Sequence, residues 1–82
     1  METKEANEMK ARAMNKVSEL FIYGMNGALC MEMLADLNSA IKFANAKLVD
    51  DKLVYELYNN IMNLTHEDVD ETNKEPILIE VD

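Results

Sequence analysis

The chain has 82 residues, of which 49 % are apolar, with only 2 Gly, 1 Pro and 1 Cys, 7 Met, and a formal charge of −8. A domain of this size buries only about 60–65 % of its unfolded surface, so one small core is expected, extended by self-association or a partner. The acidic balance argues against a basic footprint on DNA or RNA, the lone Cys30 excludes an internal disulfide, and no apolar run approaches a membrane span in length.

From about Thr3 to Tyr23, Ala6, Met9, Ala13, Val17 and Leu20 recur at steps of three and four, which predicts an amphipathic first helix. On its polar face Glu5, Glu8 and Glu19 mix with Lys4, Lys10, Arg12 and Lys16, the pattern of a solvated surface. The stretch METKEANEMKARAMNK lacks the apolar core of a signal peptide, so the cytoplasm is the default compartment.

The following LFIYGMNGALCM is apolar on every side, with Gly24 and Gly27 as its breakers. Gly24 can end the first helix in a left-handed residue and Asn26 can cap the next, which predicts a tight helical hairpin. The alternative is one long helix that crosses both glycines at about 1 kcal/mol each relative to Ala.

A central helix is predicted over Ala28–Leu48, where Cys30, Met33, Leu34, Leu37, Ala40, Ile41, Ala44 and Leu48 fall within an arc of roughly 120°. Cys30 reads there as a small buried hydrophobe. On the far face, Leu29, Glu32, Asp36, Phe43 and Lys47 cluster within roughly 60°, so a large aromatic projects where such a helix is usually polar. Phe43 therefore needs a cover, supplied by the third helix, by the tail or by another molecule.

A third helix follows from Asp50 or Asp51, either of which can cap it, to about Leu64, with Leu53, Val54, Leu57, Tyr58, Ile61, Met62 and Leu64 apolar and Glu56, Asn59, Asn60 and Asn63 outside. Thr65–Asp70 can add a short fourth turn, since Thr65 can cap while Glu67 and Asp68 complement the helix dipole. Beyond it ETNKEP reads as linker, and Ile77, Leu78, Ile79 and Val81 behind Pro76 read as a strand-like segment between acids. The expected architecture is all-α, a three-helix bundle or a hairpin plus a third helix over residues 1–64, with an acidic C-terminal tail over residues 65–82.

Charge divides the chain earlier, after Val49. Six bases and six acids cancel over residues 1–49, so the whole excess lies in the last 33 residues. No chemistry-bearing constellation accompanies it. His66, Glu67, Asp68 and Asp70 have metal-ligand types, but the only His stands among acids without zinc or EF-hand spacing, so a solvated capping turn is the better account. Neither Cys30 nor any Ser or Thr has a sequence-visible base, and GMNG is not a phosphate loop. No catalytic residue, metal or cofactor is expected, and the chain is read as non-enzymatic. Size and acidity invite comparison with acyl carrier proteins, but Leu37 and Asn38 separate Asp36 from Ser39, which would have to follow the acid directly.

Leu78, Ile79, Glu80 and Val81 resemble the hydrophobic-acidic motifs that add a strand to the sheet of a ubiquitin-like modifier. The final Glu80, Val81 and Asp82 resemble the end of the Glu-Glu-Val-Asp tails of cytosolic chaperones. The expected function is a small protein-binding module, an inhibitor, antitoxin-like neutraliser or adaptor, that engages a protein, a basic one included. Its contact residues would be Leu29, Glu32, Asp36 and Phe43 with Ile77, Leu78, Ile79 and Val81. A dimer burying the Gly24–Met33 region or the Phe43 face is expected beside it. Two alternatives are an acidic mimic of nucleic acid that blocks a DNA- or RNA-binding protein, and a small-molecule carrier whose pocket Tyr23, Tyr55 and Tyr58 would line.

Overall fold

A computed structural model describes residues 1–74, which form four helices and no strand: α1 (Thr3–Tyr23), α2 (Gly27–Asn45), α3 (Asp51–Met62) and α4 (His66–Lys74). The expected strand-like segment lies outside the described residues. The first two helices pack as a hairpin, α3 lies against both, and α4 rests on α1 alone.

The buried residues of α1 are Ala6, Met9, Ala13, Val17 and Leu20, a stripe of one side chain per turn. Small residues at positions 6 and 13 let neighbouring helices approach closely, while burial of Leu20 contributes roughly 1.5–3 kcal/mol. The hairpin forms as expected. Gly24 takes φ +133°, and the N–H groups of Gly24 and Met25 both donate to the Leu20 carbonyl, at 3.0 and 2.9 Å, closing the helix end. Two residues later the Asn26 side chain accepts from the Leu29 N–H at 3.1 Å and starts α2.

From α2 the core takes Cys30, Leu37, Ala40, Ile41 and Ala44. The predicted stripe loses its last member, because α2 stops at Asn45 and Leu48 is 71 % exposed. The cause is a second helix-ending turn, in which Lys47 adopts φ 61° and the Leu48 N–H donates to the Phe43 carbonyl at 2.9 Å. Asp50 then caps α3 by accepting from the Lys52 N–H at 3.0 Å. Val54 and Ile61 carry α3 into the core, and the helix ends at Met62, short of the expected Leu64.

The segment from Thr65 departs most from expectation. Thr65 and Asp68 cap each other reciprocally: the Thr65 hydroxyl accepts from the Asp68 N–H at 3.2 Å, and the Asp68 carboxylate accepts from the Thr65 N–H at 2.8 Å. The helix continues through Glu71–Lys74, residues expected to be linker. Burial explains this: Val69 is 0 % exposed and belongs to the same core as Leu20 and Met25. The buried side chains of the described residues are all apolar.

Candidate functional site

Two flanks of the last turns of α1 differ in what covers them. At 100° per residue, Glu19 and Tyr23 project to one side of the buried stripe and Ser18, Phe21 and Ile22 to the other. On the first side lies α4. The Tyr23 hydroxyl donates to the Asp70 carboxylate at 3.2 Å, its ring stacks on His66 with centroids 3.9 Å apart, and the Asn73 side-chain amide donates to the Gly24 carbonyl at 2.9 Å. His66 Nε2 also stands 3.9 Å from the Glu19 carboxylate. The bond to Asp70 raises the Tyr23 pKa above its ordinary value, because ionising the phenol would remove the donor and set two negative charges side by side.

On the second side α1 and α2 bound an apolar groove of about 550 Å³, lined by Val17, Ser18, Phe21, Ile22, Gly27, Cys30 and Met31. Phe21 is 56 %, Ile22 84 % and Met31 73 % exposed, so three large apolar side chains meet water around one concavity. Gly27 shapes the wall: a Cβ there would stand 3.3 Å from the Phe21 ring, closer than an undisturbed contact. Met14, on the same flank of α1 two turns earlier, is also exposed and lengthens the apolar surface. Cys30 lies at the floor, and burial raises its thiol pKa. No lining residue carries a charge.

The residues expected to bind a partner are distributed differently. Leu29 is half-buried against the core, and Glu32 is exposed. Asp36 edges a hollow of about 200 Å³ with Met33 and the α3 residues Leu57, Asn60, Ile61 and Leu64. Phe43 is 45 % exposed, so its ring is left without a full cover among the described residues. Fourteen residues of helix separate Leu29 from Phe43, about 21 Å along the axis, so these four side chains share a flank without enclosing one site. Ile77, Leu78, Ile79 and Val81 lie outside the described residues.

The three tyrosines do not share a pocket. Tyr23 is held by α4, whereas Tyr55 and Tyr58 border a hollow of about 220 Å³ with Glu5, Glu8, Met9, Arg12 and Asn59. The Tyr55 hydroxyl donates to the Glu5 carboxylate at 2.9 Å, and this bond raises the Tyr55 pKa. Glu5 and Tyr23 stand about 27 Å apart along α1.

Among the described residues, no group of three His, Cys, Asp or Glu could hold a metal ion, and no helix is long and apolar enough to cross a membrane. The groove was only partly visible in sequence: LFIYGMNGALCM is apolar all round, which marks the region but does not select Phe21, Ile22 and Met31 as the exposed members. Comparison with protein-family models, curated proteins and solved structures gives no match.

Proposed function

We propose that the protein is a small non-enzymatic binding module that receives an apolar segment of another protein in the groove between α1 and α2. The observation that carries this reading is the exposure of Phe21, Ile22 and Met31 around one uncharged concavity. Aromatic, Ile and Met side chains set in a groove are the usual anchors for a partner's apolar face, and their burial supplies the binding free energy. Met31 adds a flexible wall that can repack against side chains of different shape. An uncharged lining also distinguishes this mode from nucleic-acid mimicry, which requires rows of carboxylates at the contact.

Affinity capture with the native chain and with Ile22→Asp and Met31→Asp chains tests the reading. A protein captured by the native chain and lost from both variants, with helical content unchanged, supports it. Equal capture by all three overturns it. Capture should also persist at high salt, because apolar burial is not screened as ion pairs are.

A second reading is favoured by the size of the groove. Its volume of about 550 Å³ falls in the usual range of small-molecule sites, roughly 300–1,000 Å³. A small apolar ligand carried through purification and released by Ile22→Asp would support that reading over a protein partner.

A further inference from the structure

α3 and α4 reach the α1–α2 hairpin from one side. The Tyr55 hydroxyl of α3 bonds Glu5, α3 shares a hollow with Met33 and Asp36, and α4 holds Tyr23. At 100° per residue these contacts lie about 150° round each helix from the groove lining. The groove is therefore part of a second face of the hairpin, against which no helix packs among the described residues. On α1 this face comprises Ala11, Met14, Ser18 and Ile22, with Phe21 at its inner edge. On α2 it comprises Gly27, Met31, Ala35 and Asn38, and all of these residues but Gly27 are exposed. It spans residues 11–22 and 27–38, about 17 Å of each helix. Every residue on it is uncharged although 29 % of the chain is charged, so the lack of charge belongs to this surface and not to the composition.

We infer that a second copy of this chain covers this face, hairpin against hairpin, in a two-fold symmetric layer of four helices. The inference goes beyond the proposed function by naming what closes the groove when no other protein fills it, and the docking itself does not depend on that reading.

Charge favours a second copy as the occupant. Each chain carries a formal −8, so two chains repel unless they meet where neither presents acids. In a two-fold contact any acid near the axis would stand opposite its own copy, and Glu5, Glu8, Glu19, Glu32 and Asp36 all lie off the face. A basic partner would instead be met by acids, which this face lacks.

Area agrees with this occupant. Met14, Phe21, Ile22 and Met31, each more than half exposed, leave on the order of 500 Å² of large apolar side chain in water on each copy, at about 200 Å² for a fully exposed one. The smaller exposed residues between them, Ala11, Ser18 and Ala35 included, raise this toward the roughly 800 Å² per partner of a stable interface. Each copy already has its own core, so dissociation at about micromolar concentration, without unfolding, is expected.

Sedimentation equilibrium of the full-length native, Ile22→Asp, Ala35→Glu and Leu48→Asp chains tests this. The native chain should reach twice its 9.4 kDa at about 50 μM, well above that dissociation constant. Ile22→Asp and Ala35→Glu should each weaken association at least about a hundredfold, because the two-fold axis buries each new carboxylate twice without a partner. Leu48→Asp places the same charge at a residue that is exposed but off the face, and should leave association within about threefold of native. Added salt should tighten the native dimer by screening the repulsion between the chains. Circular dichroism guards against a folding defect, and Ala35→Glu puts a good helix former at an exposed helical position.

A native chain that stays a monomer at about 1 mM, a thousand times that concentration, overturns the inference. So does a dimer that survives either face substitution, one that Leu48→Asp dissolves, or one that salt dissociates. Ala35 does not line the groove, so Ala35→Glu separates the two proposals. If both hold, this monomeric chain captures more of the partner protein than the native chain does. Capture by a native chain that is monomeric keeps the function and removes the dimer, and a native dimer without any captured protein keeps the dimer and removes the function.

Discussion

The two flanks of the last turns of α1 start from similar material and reach different ends. On one, Tyr23 and Glu19 face α4, and two hydrogen bonds and a stacked ring pair fix a helix over Leu20. On the other, Phe21 and Ile22 stand exposed above a concavity with no charged lining. Directional polar contacts specify one docked arrangement, whereas an apolar surface of the same size accepts several occupants. The first flank is a fixed structural contact, and the second is the surface on which the proposed function rests.

The largest test of that division is Leu20→Ala, which removes the side chain beneath both flanks. Loss of about 3 kcal/mol of stability is expected in chemical denaturation, since the buried site cannot fully collapse. Gly24→Ala should cost about 1–2 kcal/mol, because φ +133° is strained for any residue with a Cβ. A neutral result at Leu20 would mean that the core beneath the flanks is loosely packed, and one at Gly24 that the turn accepts a Cβ without strain.

A smaller effect is expected from pH. The Tyr23 pKa is raised in the fold, so the contribution of its bond to Asp70 is complete below the ordinary tyrosine value of 10.0 and is lost as pH rises through the raised value. Amide protection in α4 should therefore fall in alkaline solution before that of the α1–α2 hairpin, and Tyr23→Phe should abolish this pH dependence while Tyr55→Phe leaves it. The smallest effect belongs to the groove: Ile22→Asp should change stability by no more than about 0.5 kcal/mol, as substitution of an exposed side chain does. A large loss there would make the groove part of the core and collapse the distinction between the flanks.

The sequence carried α1 to the residue, because its stripe is regular and both its end and the next helix's start have local markers in Gly24 and Asn26. It misplaced Leu48, since periodicity continues past a turn that depends on Lys47 adopting a left-handed backbone, and nothing in a lysine announces that. It read Glu71–Lys74 as linker for a related reason: one buried Val69 and an amide reaching Gly24 hold α4 in place, and both act across the fold. The groove failed differently. Apolar residues all round a turn show that something is uncovered, but which of them face water depends on where α3 and α4 settle, and those placements are tertiary.

The α4 contact has a kinetic consequence. Nine residues fall below the roughly 12–15 at which even a good helix former persists alone in water, so α4 exists only while it is docked. Undocking it costs one buried Val and a few exposed polar contacts, which is a fraction of the global unfolding free energy. Release of α4 is therefore expected as a sub-global opening that uncovers the core around Val69 while the hairpin stays closed. A protease working faster than reclosure would cut first near Thr65, and the lifetime of the intact chain would report that opening rather than the melting of its core.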